Sequence, residues 1–334
     1  MAAETSPIAV LGAGSWGTAL ALQFARSGRP VRLWGRDRVQ LEAMSAARCN
    51  ERYLPDIVFP DNLVLEPDLD RCLNGVHDVL IAVPSHGLRD ILNQIGSLLD
   101  DKARVCWATK GFEMDTGKLP HQVAMEILGA ERPLAVLSGP TFATEVGRGL
   151  PTAMTIAAND AAFAGELAAT LSGDNFRAYT SQDMIGVEVG GAVKNVLAIG
   201  AGLSDGLGFG ANTRIALINR GLVEMTRLGV ALGANQETFM GLAGMGDLVL
   251  TCTDDQSRNR RMGLLLAAGK SVDEAQAEIQ QVVEGVLAAK AVRKVAEDKY
   301  VVMPICEEIY RILYKGVSPR EAVSALMGRA LKPE

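Results

Sequence analysis

Residues Ile8–Gly17 read IAVLGAGSWG, and this stretch decides the fold of the chain. A short apolar run typical of a buried strand passes directly into Gly-x-Gly-x-x-Gly, and the helix-forming run Thr18–Leu22 follows. In this strand–turn–helix context, Gly12 lets the chain turn tightly, Gly14 leaves room for a pyrophosphate, and Gly17 lets the helix pack against its strand. The helix start offers free N–H groups and a partial positive charge to phosphates. The pattern therefore predicts a dinucleotide-binding loop, and an ordinary glycine loop is the alternative that the flanking strand and helix disfavour.

The rest of the first half alternates β-rich and helical runs in the same way. This alternation predicts a parallel sheet with helices on both faces, in which ligands bind beyond the carboxyl ends of the strands. The predicted strands are Ile8–Leu11, Val31–Trp34, Leu63–Leu65, Val79–Val83, Val105–Ala108, Leu134–Leu137 and, towards the edge, Ala153–Ala157 and Phe176–Tyr179.

The pattern changes near Asp183, beyond which the apolar residues recur at helical spacing. We therefore predict an α/β fold, with an N-terminal Rossmann-type doubly wound sheet over residues 1–183 and an all-α substrate-binding domain over 184–334. The predicted helices are Met184–Leu203, Thr213–Leu228, Val272–Ile279, Gly285–Glu297 and Pro304–Tyr314.

Composition limits the function classes. The 334 residues carry a net charge of −6, without a concentrated basic stripe, which argues against a nucleic-acid partner and leaves a small-molecule substrate. The five cysteines form no Cys-x-x-Cys and the three histidines have no metal-ligand spacing, so we expect reduced thiols and no metal. No uncharged apolar stretch of about 18 residues is convincing as a membrane span, and we expect a cytoplasmic protein. The oligomeric state, including a homodimer, is left open.

Loops that follow the predicted strands hold candidate cofactor and substrate contacts. Arg36 stands where an NAD site commonly places an acid, so it favours the 2′-phosphate of NADPH, with NADH or a plain surface arginine as alternatives. Lys110 is expected to point into the crevice and hold a substrate oxygen or phosphate. Gly139 exposes backbone to a ligand and Thr141 adds a hydroxyl, although each loop taken singly is compatible with a structural role.

Lys194 is the strongest chemical signal of the second half. It lies in the nearly apolar helical run GGAVKNVLA, where Gly190, Gly191 and Ala198 share its face. Because a helical glycine costs about 1 kcal/mol relative to alanine, the pair indicates a need for space. We predict a hollow beside the lysine, where burial lowers its pKa for acid–base chemistry. The alternative is another helix packed over the glycines, with Lys194 extending to solvent.

Three further features complete the candidate site. Asp247 follows Gly-Met-Gly and is expected in a loop. Ser257, Arg258 and Asn259 open a predicted helix, and hydroxyl, guanidinium, amide and helix N-terminus together form an anion pocket or else a solvated basic helix. Glu284 precedes another helix and is also compatible with a surface acid.

Nine runs in order across about residues 8–285 resemble the bacterial NAD(P)-dependent glycerol-3-phosphate dehydrogenase family: GAGSWGTALA, WGR, VPSH, TKGFE, LSGPTFA, GGAVKNVLAIGAG, GLAGMGDLVLTC, SRN and VVEG. The resemblance implies interconversion of dihydroxyacetone phosphate and sn-glycerol 3-phosphate for glycerophospholipid synthesis, with NADPH or NADH as cofactor. It also implies that Lys194 gives the proton to the ketone and takes it back in reverse.

The resemblance extends to individual binding positions. Beyond the three glycines of the loop, the implied cofactor contacts are Ser15, Trp16, Arg36, Tyr53, Lys110, Ala143, Arg258, Val282 and Glu284. The implied substrate contacts are Lys110, Gly139, Thr141, Lys194, Asp247, Ser257, Arg258 and Asn259. A β-hydroxyacid or 6-phosphogluconate-type dehydrogenase and a non-catalytic NADPH-binding regulator are the two competing interpretations.

Overall fold

The computed structural model describes residues 6–330, which group into two units. The first unit comprises the described residues through Lys110 together with Pro120–Met184. The second comprises Gly111–Leu119 and the described chain from Ile185 onward. The excursion Gly111–Leu119 therefore packs with the helical unit, because Phe112 and Leu119 are buried in its core.

The first unit is built on one eight-stranded sheet within the described residues. Its strands are β1 (Ile8–Leu11), β2 (Val31–Trp34), β3 (Leu63–Leu65), β4 (Asp78–Ile81), β5 (Arg104–Trp107), β6 (Leu134–Ser138), β7 (Thr152–Ala158) and β8 (Phe176–Ser181). The order is β3-β2-β1-β4-β5-β6-β7-β8, and every neighbouring pair is parallel except β6–β7. The chain reverses its winding direction between β1 and β4, and such a reversal opens a crevice at the carboxyl ends. The predicted doubly wound sheet is confirmed.

The helices of the first unit follow from amphipathic patterns and polar caps. In the fourth helix, Leu88, Ile91, Leu92 and Ile95 repeat at helical spacing and are all buried. Aspartate side chains accept a first-turn N–H at the starts of the second, third and seventh helices. The helices are α1 (Ser15–Arg26), α2 (Arg38–Ala47), α3 (Leu69–Leu73), α4 (Leu88–Gly96), α5 (Pro120–Leu128), α6 (Ala143–Arg148) and α7 (Ala161–Leu171).

The second unit is helical, as predicted. Its helices are α8 (Met184–Gly206), α9 (Ala211–Ala231), α10 (Asp247–Thr253), α11 (Arg258–Ala267), α12 (Val272–Ile279), α13 (Glu284–Asp298), α14 (Pro304–Lys315) and α15 (Pro319–Met327). By length and composition α8 could cross a membrane, but 94% of its most apolar window is buried inside the protein. Much of the core of the unit is formed by this helix, which explains why it is largely apolar on all sides.

Two local predictions in this unit are wrong. Asp247 is not in a loop but is the first residue of α10. The glycines before it belong to a π-helical turn over Leu242–Gly246, where a Cβ on Gly244 would lie 2.2 Å from the carbonyl oxygen of Phe239. Gly244 therefore permits close packing rather than breaking the helix. Similarly, the helix predicted to end at Leu203 continues through Gly206, so that Asp205 lies within α8.

Candidate active site

The glycine loop between β1 and α1 has the geometry that its sequence predicts. Gly12 adopts φ +125°, and a Cβ there would lie 2.6 Å from the carbonyl oxygen of Ala82 on the neighbouring strand connection. A Cβ on Gly17 would lie 1.9 Å from the carbonyl oxygen of Gly12. An added Cβ on Gly14, in contrast, would meet no atom within 4 Å. Two glycines are required by packing, and the middle one leaves an open approach to the backbone.

The start of α1 fits the pyrophosphate of a dinucleotide. Gly14 is the N-cap and supplies no side-chain cap, so the first-turn N–H groups, beginning at Ser15, are not satisfied by a cap side chain. The indole Nε1 of Trp16 is buried and has no hydrogen-bond partner among the described residues. An unsatisfied buried donor beside an open helix start is a place where an anionic ligand can be bound.

Arg36 lies at the carboxyl end of β2, exposed, two residues after the strand ends. The neighbouring Asp37 is the N-cap of α2, and its carboxylate accepts the N–H of Gln40 at 3.1 Å. The acid in this loop is therefore engaged by its own helix, while the guanidinium of Arg36 is exposed. Tyr53 is half-buried, with the guanidinium carbon of Arg52 5.1 Å from its ring centre.

The carboxyl ends of β5 and β6 carry the next candidates. Lys110 is half-buried and follows Thr109, whose hydroxyl donates to the carbonyl of Val83 at 2.7 Å. Gly139 adopts φ +157°, and a Cβ there would lie 2.9 Å from the Cα of Met154.

Beside Gly139, the hydroxyl of Ser138 is buried and lacks a hydrogen-bond partner among residues 6–330. Thr141 donates to the carbonyl of Gly139 at 3.2 Å, and Ala143 is the first residue of α6. This loop thus combines a fixed backbone with an unsatisfied hydroxyl.

Lys194 is buried in the core of the second unit and forms an ion pair with Asp247. The two residues are only 6% and 1% exposed. The ammonium also donates to the hydroxyl of Thr251 at 3.0 Å, and that hydroxyl donates in turn to the backbone carbonyl of Asp247 at 2.6 Å. The carboxylate offsets the desolvation that burial imposes on the ammonium. The arrangement holds the ammonium in a fixed position, where it can donate a proton to a ligand.

Gly190 does not create the hollow that was predicted beside Lys194. A Cβ on Gly190 would lie 2.4 Å from the carbonyl oxygen of Ala243, so the π-helical turn packs directly over it. This close packing brings α10 against α8 and places Asp247 at the lysine. The competing interpretation was right about the glycine but wrong about the lysine, which does not extend to solvent.

The start of α11 is also more constrained than predicted. Ser257 is the N-cap, and its hydroxyl accepts the N–H of Arg260 at 3.2 Å. The Asn259 amide donates to Asn195 Oδ1 at 2.9 Å and accepts the N–H of Gly285 at 2.9 Å. The half-buried guanidinium of Arg258 forms no ion pair with any residue in the described part of the chain.

Glu284 is the first residue of α13 and accepts a hydrogen bond from the Asn195 amide at 3.3 Å. It is half-buried and belongs to the same network as Asn259, so it is not an isolated surface acid. Val282 precedes the helix and is 45% exposed. The predicted residues of the second unit thus form two groups. Lys194 and Asp247 form one, and Asn259 and Glu284, linked through Asn195, form the other. The groups adjoin because Lys194 and Asn195 are consecutive residues on α8.

Neither Thr251 nor Asp205 stands out as a site residue in the sequence. Thr251 lies four residues after Asp247, a spacing that places both on one helix face once the helix is known. Asp205 accepts from the guanidinium groups of Arg260 at 2.7 Å and Arg214 at 2.9 Å, and so ties the end of α8 to α11 and α9. Recognising either residue required the correct helix boundaries.

Comparison with known proteins gives a consistent result over the whole chain. Residues 7–164 match the family described as NAD-dependent glycerol-3-phosphate dehydrogenase N-terminus, and residues 183–324 match the C-terminus of the same family. A glycerol-3-phosphate dehydrogenase [NAD(P)+] from Edwardsiella ictaluri is 57% identical over 100% of this chain and 99% of its own length. One from Serratia proteamaculans is 57% identical over 97% of this chain and 96% of its own. The crystal structure of glycerol-3-phosphate dehydrogenase from Coxiella burnetii is 48% identical, with a TM-score of 0.95 and coverage of 98% and 100%.

Proposed function

The chain belongs to the NAD-dependent glycerol-3-phosphate dehydrogenase family, and from this membership we propose how its residues divide the work of catalysis. The protein is an oxidoreductase that interconverts dihydroxyacetone phosphate and glycerol 3-phosphate with NAD(P)(H). The two competing interpretations, a hydroxyacid-type dehydrogenase and a non-catalytic regulator, are therefore wrong. We propose that the stereoisomer formed is sn-glycerol 3-phosphate.

The cofactor is held by the loop of three glycines and by side chains around the carboxyl ends of the strands. When bound, the reduced nicotinamide supplies the hydride. Arg36 pairs with the 2′-phosphate and makes NADPH the preferred form, since Asp37 already caps its own helix and NADH offers Arg36 no such partner. The other proposed contacts are Ser15, Trp16, Tyr53, Lys110, Ala143, Arg258, Val282 and Glu284.

Lys194 moves the proton. In the reducing direction its ammonium donates a proton to the ketone oxygen as the carbonyl carbon gains the hydride, and the resulting amine regains a proton from solvent. In the oxidising direction the amine takes the proton of the alcohol. Asp247 holds the ammonium in place, with Thr251 as a further hydrogen-bond partner. The buried Lys194–Asp247 pair is the observation that carries this assignment, because the carboxylate holds the ammonium in a fixed position.

Arg258 binds the substrate phosphate at the start of α11. Its guanidinium is half-buried and has no ion-pair partner among residues 6–330, and the N-terminus of the helix adds favourable dipole and N–H groups. Ser257 contributes its hydroxyl proton, while Asn259 contributes through the remaining N–H of its amide and by holding Asn195. Lys110, Gly139 and Thr141 are the further proposed substrate contacts, as the family resemblance implies.

We assign most of the cofactor contacts to residues 1–183 and most of the substrate contacts to residues 184–334. The sn-glycerol 3-phosphate that the enzyme forms supplies glycerophospholipid synthesis in the cytoplasm, without a nucleic-acid partner, and a homodimer is compatible with this role. Expression in a bacterial strain that needs external glycerol 3-phosphate tests the supply role, since growth without it requires the reducing direction in the cell.

Removal of Arg258 tests the phosphate assignment. Because a charge-assisted hydrogen bond contributes roughly 1.5–3 kcal/mol, Arg258→Ala should lower kcat/KM for dihydroxyacetone phosphate at least about tenfold. Dihydroxyacetone lacks the phosphate, and its low turnover, measured at saturating NADPH because Arg258 is also a proposed cofactor contact, should be unchanged by the substitution. Arg261→Ala, on the same helix, is the matched control for loss of a positive charge. Equal losses with both substrates would place the phosphate elsewhere.

A further inference from the structure

Asn50 is a buried polar residue that neither the sequence motifs nor the family resemblance assign to the site. It is 1% exposed and follows α2. Its side-chain amide donates to the carbonyl of Ala13 at 3.2 Å and to the hydroxyl of Thr18 at 2.9 Å. A second amide, that of Gln40, also donates to the carbonyl of Ala13 at 3.2 Å. One carbonyl oxygen in the middle of the glycine loop thus accepts hydrogen bonds from two side chains.

That carbonyl belongs to the same peptide group as the N–H of Gly14. A trans peptide is planar, so its C=O and N–H point in opposite directions. Two amides that hold the Ala13 carbonyl on the protein side therefore direct the Gly14 N–H away from them. The Gly14 N–H has no hydrogen-bond partner within residues 6–330, and an added Cβ at Gly14 would meet no atom within 4 Å. The peptide plane thus directs a donor that lacks a partner among the described residues away from Asn50 and Gln40, at a residue with open space around it.

We propose that Asn50, together with Gln40, is a positioning residue that aims the Gly14 N–H at the cofactor pyrophosphate. The hydrogen bonds act in two ways: they fix the orientation of the peptide plane before the ligand arrives, and they polarise the peptide so that its N–H becomes a stronger donor. The proposal rests on the assignment of the glycine loop as the pyrophosphate site.

The same hydrogen bonds also connect the glycine loop with the segments that carry Arg36 and Tyr53. Gln40 lies on α2, whose first turn is capped by the residue next to Arg36. The backbone carbonyl of Asn50 accepts the N–H groups of Tyr53 at 3.1 Å and Leu54 at 2.7 Å. The segment after α2 is therefore tied at one end to the glycine loop and at the other to a proposed cofactor contact.

Asn62 provides a matched control. Its amide likewise donates to two acceptors on this unit, the carbonyls of Ala25 at 2.8 Å and Arg29 at 3.1 Å, but at the opposite end of α1. A purely structural role predicts that Asn50 and Asn62 behave alike. A positioning role predicts that only Asn50 affects pyrophosphate binding.

The experiment compares Asn50→Leu and Asn62→Leu, both neutral and similar in size to asparagine, by calorimetric titration with three ligands. ADP-ribose contains the pyrophosphate, 2′-AMP contains the 2′-phosphate without it, and NADPH contains both. For Asn50→Leu we expect the Kd of NADPH and of ADP-ribose to rise about tenfold while that of 2′-AMP stays unchanged. The KM for NADPH should rise with kcat kept at saturating cofactor. Asn62→Leu should lower Tm without changing any of the three Kd values.

Two outcomes would overturn the proposal. One is an unchanged Kd for ADP-ribose in Asn50→Leu, and the other is an equal loss for ADP-ribose and 2′-AMP, which would indicate general damage to the unit. If Asn50→Leu does not fold, Gln40→Leu is compared with Asn62→Leu in the same titrations, and a smaller rise in the Kd of NADPH and ADP-ribose is expected. Failure of the wild-type protein to bind ADP-ribose would contradict the cofactor-site assignment itself, which distinguishes it from failure of the present inference.

Discussion

Replacement of Lys194 by methionine tests catalysis and the buried ion pair together. Methionine keeps the length and apolar stem of lysine but removes the charge, which leaves the Asp247 carboxylate buried without its cation. The two side chains are 8% and 2% exposed, so little water can compensate. Breaking a buried pair in this way costs about 3–5 kcal/mol of unfolding free energy. Because the Thr251 hydroxyl still contacts Asp247, we expect the lower end of this range for Lys194→Met.

The double variant Lys194→Met/Asp247→Leu separates stability from chemistry. An apolar pair of similar volume often restores or exceeds the stability of a buried ion pair, so urea unfolding should return close to the wild-type free energy. Turnover should not return. Both variants should have kcat lowered by about 10²–10⁴, the usual contribution of a positioned acid–base group, while NADPH binding is retained.

Stability is measured by urea unfolding, and turnover is measured by oxidation of NADPH with dihydroxyacetone phosphate. Lys290→Met, at an exposed position on α13, is the control for replacing a lysine by methionine. Near-normal kcat in either variant that lacks Lys194 would refute its role as proton donor. A double variant as unstable as the single one would refute the reasoning about the ion pair.

Three further substitutions test other parts of the molecule. Arg36→Ala should raise KM for NADPH about 10- to 100-fold with little effect on NADH, whereas Arg38→Ala nearby should leave both unchanged; equal losses would mean that Arg36 does not bind the 2′-phosphate. Burial raises the pKa of the Asp78 carboxyl at the start of β4, but hydrogen bonds and charges from two arginines outweigh it and hold the pKa below its ordinary value. The ionised carboxylate thus contributes to stability at neutral pH, and this contribution is lost as the pH falls below about 4. Urea unfolding at several pH values should therefore show that Asp78→Asn loses less unfolding free energy on acidification than the wild type does. Gly263→Ala should lower the free energy of unfolding by about 1–3 kcal/mol, since its Cβ would lie 2.1 Å from a backbone oxygen of α8. Gly165→Ala, at an exposed position on α7, should raise the free energy of unfolding by about 0.5–1 kcal/mol. Thermal unfolding measures both variants, and a higher Tm for Gly263→Ala than for Gly165→Ala would contradict this reasoning.

The sequence by itself determined those features that depend on neighbouring residues. The strand, the three glycines and the start of α1 could be predicted because the turn, the open approach and the helix–strand contact each require glycine at a fixed position. The start of α11 was equally local, since Ser257 caps the helix that it precedes. Arg36 stood out because its place at the end of β2 follows directly from the strand pattern.

Only the tertiary structure decided what lies opposite each of these residues. Asp247 is separated from Lys194 by 53 positions, and it reaches the lysine because Gly190 allows a backbone turn to pack against α8. The local pattern around it, Gly-Met-Gly, indicated a loop, since the sequence does not show that Gly244 is needed for close packing of a π-helical turn against the backbone of Phe239. Asn50 is 37 positions from the carbonyl that it holds. Hydrophobic periodicity and turn chemistry act over a few residues, whereas ion pairs and amide contacts form between segments that meet only when the core is packed, and the positions of the reacting groups depend on that packing.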